Sequence, residues 1–428
     1  MKGGELIATG SSSCVLTPNI PCKKNGRISK DRVSKIIYSE DAIDESIDEK
    51  RMNGKIKQIK GHSSWAVIFD ESCKPFKKEM LSEYDEVGIS DCLDEEEDYA
   101  LVKEFDNNSY MMNGEYGGIT LDGYFEQVFN KKIKKSTSFN NEFYDLMVRM
   151  EPLFLGLKKM NENNIVHNDI KPNNIVLHKG KFKYIDFGLS SMKSNKNHFK
   201  QRSLYELNTD RIYLYYPIEY LLYYASKNKL NEEISNIYKG KYRRNYENFI
   251  KVSMLFGSYG IDVYDSVTRG LKNNEIKETK MIQSIDVYSL GILVPVLFLF
   301  HTQLWNEKNP SEKFSKDVAN GNELVNDFFF LFGQMVNSSS NQRITAKDAL
   351  IKFKILLNKH RPKKKKSKQV RKVSRKKDRK TTKKKKSKQV RKVSRKKDRK
   401  TTEREKKSIV RRNRVPFIER VNMRREAY

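Results

Sequence analysis

Residues 164–190 read NIVHNDIKPNNIVLHKGKFKYIDFGLS, and this stretch decides the fold. Short runs rich in β-branched residues, such as Ile-Val-Leu at 175–177, are typical of small strands that brace a loop. We therefore expect a loop that presents a carboxylate, an ammonium and an amide at one rim, with a second carboxylate facing them across a hairpin. The side chains concerned are His167, Asp169, Lys171 and Asn174 in the loop, and Asp186, Phe187 and Gly188 after the hairpin.

This set of side chains suits phosphoryl transfer. The reaction depends on positioning and charge neutralisation, with one carboxylate orienting the attacking hydroxyl and others holding magnesium against the phosphates. Magnesium prefers hard oxygen ligands and keeps several waters, so one carboxylate and one amide oxygen are a suitable protein contribution. Isolated Asp, Asn and Lys residues are common in a polar chain. Here the polar residues of the loop at 167–174 and the Asp-Phe-Gly segment occur in order, with Asp169 and Asp186 17 residues apart. Their combination is a specific signal.

The stretch resembles the catalytic loop and the Asp-Phe-Gly segment of the eukaryotic-type protein kinases. The resemblance extends over about residues 5–355. It implies an α+β, bilobal protein-kinase-like fold, with a small β-rich N-terminal lobe at 1–112 and a larger helical C-terminal lobe at 113–360. The cofactors that it implies are ATP and Mg2+, and the implied partners are protein substrates.

The resemblance also implies a role for each polar residue of this stretch. Asp169 would be the catalytic base, and Lys171 would contact the γ-phosphate. Asn174 and Asp186 would bind magnesium. Lys171 further favours Ser or Thr over Tyr as the acceptor. We therefore expect an ATP- and Mg2+-dependent serine/threonine-protein kinase.

The segment at 5–15, ELIATGSSSCV, takes the place of the family's glycine-rich loop, G-x-G-x-x-G-x-V. The pattern falls on Ala8, Gly10, Ser13 and Val15, so only the middle glycine is kept. Glycines in such a loop let backbone amides approach phosphates closely. The presence of Ala8 and Ser13 is therefore expected to weaken or alter the contacts between this loop and the phosphates of ATP.

Residues 33–37, VSKII, read as an alternating strand with a central lysine and loosely match the family's V-A-I-K strand. Lys35 would contact the α- and β-phosphates, although an exposed strand lysine is the plain alternative. A helix is predicted over 41–59 from its apolar spacing and from its acidic start and basic end. Glu49 is the expected partner of Lys35, and Glu45 is its rival.

Residues 111–118, MMNGEYGG, resemble the segment that joins the two lobes, where backbone groups would hold adenine. We expect Glu115 and Tyr116 to contribute to that site, although the Gly-Gly pair would also suit an ordinary turn. Before this segment, residues 83–98 hold nine acidic and no basic side chains. Such a charge density favours an exposed acidic loop of the N-terminal lobe.

Three further motifs fall in the C-terminal lobe. Tyr216-Pro-Ile-Glu219 takes the place of the family's Ala-Pro-Glu, Asp286 begins a match to D-x-W-S-L-G, and Arg343 matches the arginine of D-x-x-x-R-x-T-A. The resemblance implies that Glu219 and Arg343 form a buried ion pair and that Asp286 anchors the catalytic loop. Residues at about 224–280 exceed the family's usual spacing and are predicted to be an insertion.

Composition excludes several classes of protein. The N-terminus lacks the apolar core of a secretion signal, and the apolar run at 290–300 is too short to span a bilayer, so a buried helix is expected there. The cysteines form no CxxC pair, which suits free thiols in a reducing compartment. We therefore expect a soluble intracellular protein that does not bind membranes. The four cysteines are Cys14, Cys22, Cys73 and Cys92.

The chain carries a net charge of +31, and most of this charge lies in the tail at 361–428. The tail has 34 basic and 6 acidic residues, whereas the preceding 360 residues have 51 and 48. A 20-residue sequence occurs twice, at 363–382 and at 383–402, with too few apolar residues to form a core. Such a low-complexity, polybasic arm can bind nucleic acid or another polyanion, or act as a nuclear-import signal. A solvated tail without a specific partner is the alternative.

Two rival functions come from other classes. His-Asn-Asp also resembles the catalytic loop of choline-kinase-like small-molecule phosphotransferases, but Lys171 and the Glu219/Arg343 pair count against that interpretation. A catalytically weak pseudokinase scaffold, tethered to polyanions by its tail, is favoured by the reduced glycine loop and opposed by the intact Lys35 and Asp186. The Lys-, Asn- and Ile-rich composition and the non-arginine catalytic loop look most like the protein kinases of large DNA viruses. Such an enzyme would occupy the host cytoplasm, the nucleus or the virion.

Overall fold

The computed structural model describes residues 4–9, 13–23, 26–38, 42–75, 109–131, 139–208, 213–225, 270–273, 275–301, 321–337 and 339–362. These residues belong to one compact unit, Met1–Pro362. The predicted acidic loop at 83–98, most of the predicted insertion at 224–280 and the tail from residue 363 onward lie outside the described residues. Those predictions therefore stay predictions.

A five-stranded antiparallel sheet and one long helix form the N-terminal part. Their bounds are β1 Glu5–Thr9, β2 Ser13–Thr17, β3 Arg32–Tyr38, α1 Ala42–Gln58, β4 Phe69–Cys73 and β5 Ser109–Glu115. The strand order is β1-β2-β3-β5-β4, and α1 packs against β3, β4 and β5. The predicted lobe boundary at 112/113 falls inside β5, because the strand continues to Glu115.

The two faces of the sheet follow from the alternation of side chains along each strand. Ile36 and Met111 are buried in one cluster, whereas Ile37 and Met112 belong to another. Lys35 is two residues before Ile37 and therefore shares its face. The alternating strand that the sequence predicts over 33–37 is confirmed, and its register carries the lysine into the interior of the fold.

The cysteines correct the prediction of free thiols. Cys22 and Cys73 form a disulfide with their Cα atoms 5.8 Å apart, and Cys14 is disulfide-bonded as well. No free cysteine occurs among the residues that the structure describes. The Cys22–Cys73 bond joins positions 51 residues apart, so no local spacing could have indicated it. The compartment stays a prediction, and it no longer draws support from free thiols.

The C-terminal part is mainly helical. Its helices are α2 Leu121–Tyr124, which continues as a π-helical turn over Phe125–Phe129, α3 Phe139–Glu162, α4 Lys196–Asn208, α5 Ile218–Tyr223, α6 Glu278–His301, α7 Glu323–Met335 and α8 Ala346–Lys359. Helices α3, α6, α7 and α8 pack on one another around a core rich in phenylalanine. Phe154 and Phe353, for example, stack with their ring centroids 3.8 Å apart. The two-lobed organisation predicted from the sequence is therefore present.

Helix α6 is the most apolar element and confirms the buried helix predicted at 290–300. It spans 24 residues, and its length and hydropathy alone would allow it to cross a membrane. In the fold, however, 94% of its most apolar 18-residue stretch is buried inside the protein. A helix that is apolar on all sides and buried on all sides is what the core of a large globular lobe requires.

Two small pairs of strands frame the stretch at 164–190. Their bounds are β6 Ile165–Val166, β7 Ile175–His178, β8 Lys181–Tyr184 and β9 Ser191–Met192. Strands β7 and β8 form a hairpin across Lys179 and Gly180, both of which have positive φ, as a two-residue hairpin turn requires. Strand β6 pairs with β9. The short bracing strands that the sequence predicts are confirmed, and they fix both ends of the loop at 167–174.

Candidate functional site

Lys35 of β3 connects the N-terminal sheet, helix α1 and the hairpin. Its Nζ lies 3.0 Å from Glu49 Oε2 and 3.0 Å from Asp186 Oδ1. Glu49 is almost completely buried on α1, so the predicted pairing with Lys35 is confirmed. The side chain of the rival, Glu45, lies outside the described residues.

The charges in this cluster stabilise one another. Burial disfavours the charged ammonium, but Asp186 and Glu49 outweigh it and raise the pKa of Lys35 above its usual value. Burial also works against the Asp186 carboxylate, yet the neighbouring Lys35 lowers the pKa of Asp186 to about 2. Asp186 is therefore ionised throughout the neutral range, as a magnesium ligand must be.

The loop at 167–174 is anchored by Asp286 of helix α6, as the sequence predicts. Asp286 Oδ2 accepts a hydrogen bond from the backbone N–H of His167 at 2.6 Å, and Oδ1 accepts one from the N–H of Asn168 at 3.0 Å. Asn168 has a φ of 60°, and Asp186 has a φ of 59°. Left-handed non-glycine residues cost about 1–3 kcal/mol each and persist where the surroundings hold them, most often at functional sites.

Three side chains converge on Asp169. Its Oδ2 accepts a hydrogen bond from Asn174 Nδ2 at 2.7 Å and lies 3.0 Å from Lys171 Nζ. Its Oδ1 accepts a hydrogen bond from the hydroxyl of Tyr213 at 2.9 Å. The sequence predicted the first two as neighbours of Asp169 but did not identify Tyr213.

The residues present fit a magnesium ion. Asn174 donates from its Nδ2 to Asp169, so its amide oxygen Oδ1 is the atom that would bind a metal. The backbone N–H of Ile185 donates to the carbonyl of Asn174 at 3.0 Å, so Asn174 and Asp186 lie at the same open end of the β7–β8 hairpin. The Asp186 side chain is 37% exposed and accessible to an incoming ion. Among the described residues no larger His/Cys/Asp/Glu cluster could hold a metal, and magnesium on phosphates needs only one or two protein ligands.

The segment that matches the glycine-rich loop lies on the β1–β2 hairpin. Ala8 pairs with Val15, and Ser13 is the first residue of β2. Gly10 lies outside the described residues. The contacts of this segment with ATP stay predicted.

The segment predicted to hold adenine follows β5. Glu115 ends that strand, and its carboxylate contacts Lys179 at 2.5 Å. The backbone N–H of Tyr116 donates to the Asp31 carbonyl at 2.8 Å, and its carbonyl lies 3.2 Å from His178 Nδ1. The backbone N–H of Tyr116 is thus used within the protein, and the predicted contacts of this segment with adenine stay predicted.

The Gly117-Gly118 pair lets this segment lie directly on strand β7. A Cβ on Gly117 would come within 2.7 Å of Val176 Cγ2, and a Cβ on Gly118 would come within 2.5 Å of the carbonyl oxygen of Leu177. Gly118 also has a φ of 92°. The pair is thus required by the close packing of this segment on β7 rather than by an isolated turn.

Gly118→Ala is expected to destabilise the protein and to weaken MgATP binding, because the Leu177 carbonyl must move away from the new Cβ. The matched control is Gly61→Ala, which has a φ of 79° but no atom within 4 Å of the Cβ position. Gly61→Ala should cost only the backbone strain, about 1–2 kcal/mol. Equal effects of the two variants in chemical denaturation and nucleotide titration would contradict the packing role of Gly118.

A set of contacts holds the chain between Asp186 and Glu219, and no sequence motif indicated it. The hydroxyl of Tyr216 donates to the Asn168 carbonyl at 2.5 Å, and that of Tyr220 donates to the Phe199 carbonyl at 2.9 Å. Arg202 of α4 contacts Glu206 at 2.5 Å and its Nε donates to Tyr216 Oη at 3.3 Å. Tyr216 thus fixes the segment against the loop at 167–174, and Tyr220 connects α5 to α4.

Glu219 and Arg343 form the buried ion pair that the sequence predicts. Arg343 Nη2 donates to Glu219 Oε1, and both side chains are at most 1% exposed. Arg343 also donates to the Asn337 carbonyl and to Ser284 Oγ, both at 3.0 Å. The pair joins α5 to the segment before α8 and therefore supports the site from outside it.

Comparison with known proteins agrees with this geometry. Residues 85–213 match the protein kinase domain family, and the matched stretch includes the whole of 164–190. The MAP kinase kinase MKK1/SSP32 of Saccharomyces cerevisiae is 29% identical over 99 residues, which are 23% of this chain and 18% of that relative. Together with the N-terminal sheet and the helical C-terminal part, the domain match shows a bilobal protein-kinase fold and supports a protein kinase.

Proposed function

We propose that this chain is an ATP- and Mg2+-dependent serine/threonine-protein kinase, which transfers the γ-phosphate of ATP to protein hydroxyls. The observation that carries the proposal is the position of Lys35, whose ammonium bridges Glu49 and Asp186 at 3.0 Å each. Glu49 belongs to the N-terminal part and Asp186 to the C-terminal part. Phosphates that contact Lys35 must therefore lie between the two parts.

Each polar residue of the site has a separate role in the proposed reaction. Lys35 neutralises charge on the α- and β-phosphates, and Lys171 neutralises charge near the γ-phosphate, 3.0 Å from the base Asp169. Asp169 orients the acceptor hydroxyl and receives its proton. Asn174 and Asp186 would hold Mg2+, which supplies charge neutralisation on the phosphates when it is bound.

The finer parts of the proposal rest on the sequence. Specificity for Ser and Thr rests on Lys171. The similarity to the kinases of large DNA viruses rests on composition and on Asn168 in place of arginine. For the tail at 361–428 we propose binding to nucleic acid or another polyanion, or nuclear import. Binding of this kind would weaken steeply with salt, because basic residues release counterions from the polyanion.

The pseudokinase scaffold is the rival that nucleotide binding can test. We expect the full-length protein to bind ATP more tightly with Mg2+ than without it, and Asp186→Asn to remove most of that difference. The asparagine variant loses the charge that faces the ion but keeps the shape of the side chain. A protein that binds no nucleotide, or binds it equally with and without Mg2+, would favour the scaffold. Isothermal titration calorimetry makes this measurement.

A further inference from the structure

The Cys22–Cys73 disulfide encloses the part of the chain that carries Lys35 and its partner Glu49. Cys22 lies between β2 and β3, and Cys73 is the last residue of β4. The 51-residue separation between them contains β3, with Lys35, and α1, with Glu49. A cross-link restricts the disordered states of the segment that it closes, and the restriction grows with the length of that segment. The bond therefore stabilises the arrangement in which Lys35 meets Glu49.

Packing within the sheet connects the disulfide to the strand that carries Lys35. Met111 of β5 is the Cα partner of Cys73 on one side and of Ile36 on the other. Its side chain is buried in a cluster that also contains Ile36, and Cys22 and Cys73 pack against this cluster. Ile36 directly follows Lys35 in the sequence. One residue of β5 thus separates the disulfide from the strand of the lysine.

The segment that holds Cys22 has anchors of its own on the sheet. The backbone N–H of Ile20 donates to Ser34 Oγ at 2.7 Å, and Asn113 Nδ2 donates to the Ile20 carbonyl at 2.9 Å. The Ile20 side chain is completely buried. Because these contacts do not depend on the S–S bond, opening the bond leaves the segment attached. Reduction is therefore expected to loosen the N-terminal part without unfolding it.

The disulfide is accessible to a thiol in solution. Cys22 and Cys73 are both half-buried, whereas Cys14 is completely buried. Two exposed lysines, Lys23 and Lys74, directly follow the two cysteines in the sequence. Positive charge next to a cysteine stabilises its thiolate, which is the group that leaves when another thiol attacks. A thiol reductant should therefore open Cys22–Cys73 before it reaches the bond of Cys14.

We propose that the Cys22–Cys73 disulfide is a redox switch for MgATP binding, which is strong in the oxidised protein and weaker after reduction by a thiol. A thiolate of the reductant attacks one sulfur, the S–S bond breaks, and the other sulfur leaves as a thiolate that takes up a proton. A second thiol of the reductant then displaces the remaining cysteine from the mixed disulfide. The protein gains two electrons and two protons, and the reductant becomes a disulfide. The inference rests on the proposed function, which makes MgATP the ligand of Lys35.

The test measures MgATP binding by the full-length protein with labelled nucleotide in equilibrium dialysis, before and after treatment with dithiothreitol. Alkylation and mass spectrometry identify the cysteines that have become free. We expect the Kd to rise about 5–150-fold, the usual range of coupling between two sites, and to return after reoxidation. An unchanged Kd in protein with both Cys22 and Cys73 alkylated would overturn the inference and leave the proposed function intact. Absence of MgATP binding before and after reduction would overturn both.

Cysteine variants show which bond is responsible. The double variant Cys22→Ser/Cys73→Ser should bind MgATP as weakly as the reduced protein and should no longer respond to dithiothreitol. The matched control is Cys14→Ala, which removes the other disulfide-bonded cysteine of the described residues and should keep the fold-change in Kd on reduction. A full response in the double variant, or loss of the response in Cys14→Ala, would contradict the role of Cys22–Cys73. If the double variant does not fold, alkylation mapping of the native protein still decides between these outcomes.

Discussion

Replacing Asp169 with asparagine is expected to lower the turnover number of phosphoryl transfer about 10²–10⁴-fold, the usual contribution of a general base. Asparagine has the same shape, and its oxygen can still accept the hydrogen bond that Tyr213 donates in the native protein. An amide cannot take up the proton of the acceptor hydroxyl, however. Because Lys35 and Asp186 are unchanged, the affinity for MgATP should stay close to that of the native protein.

A matched control for this variant is Asp145→Asn on helix α3. Asp145 is 41% exposed and pairs with Arg149 one helical turn away at 2.8 Å. Such surface pairs contribute at most about 1 kcal/mol to stability, so turnover should not change. A native rate of transfer in Asp169→Asn, measured under saturating ATP, would show that another group acts as the base.

Replacing Arg343 with methionine is expected to destabilise the protein by about 3–5 kcal/mol, because it leaves the Glu219 carboxylate buried without its partner. Burial already raises the pKa of Glu219, and Arg343 is the charge that opposes this effect. The measurement is the free energy of unfolding of the full chain in denaturant. The matched control, Arg51→Met, removes an exposed ion pair to Asp48 whose side chains are 55% and 50% exposed, and it should have little effect.

The pH dependence of the Arg343→Met variant has a defined sign. Without the arginine, the folded-state pKa of Glu219 lies above its unfolded value. The buried charge therefore destabilises the fold above the unfolded pKa, and the penalty disappears as the pH falls below it. We expect the difference between Arg343→Met and the native protein to shrink in mild acid. A difference that does not depend on pH would mean that lost packing, rather than the unpaired charge, causes the destabilisation.

The sequence predicts the parts of the site that local motifs carry. Asp169, Lys171 and Asn174 lie within six residues, and the hairpin that follows fixes Asp186 beside them. The resemblance implied that a carboxylate of the predicted helix pairs with Lys35, with Glu49 as the choice and Glu45 as its rival, and the structure confirms the helix and the pairing with Glu49. These predictions succeed because the distances concerned follow from the geometry of one loop, one hairpin and one helix.

The parts that the sequence missed depend on tertiary packing. Tyr213 reaches Asp169 across 44 residues, and Cys22 pairs with Cys73 across 51. Nothing in a run of tyrosines indicates which hydroxyl points to the base, because burial and the path of the whole segment decide it. Likewise, the contacts of the Tyr116 backbone with Asp31 and His178 depend on tertiary packing.

Transfer of labelled phosphate from ATP to generic basic and acidic protein substrates tests the central claim most directly, with the native protein and Asp186→Ala compared side by side. The account predicts transfer by the native protein that requires Mg2+ and is lost in the variant. In that variant the carboxylate that faces both the ion and Lys35 is missing. A native protein that binds ATP but transfers no phosphate to any acceptor would contradict the account and indicate a scaffold instead.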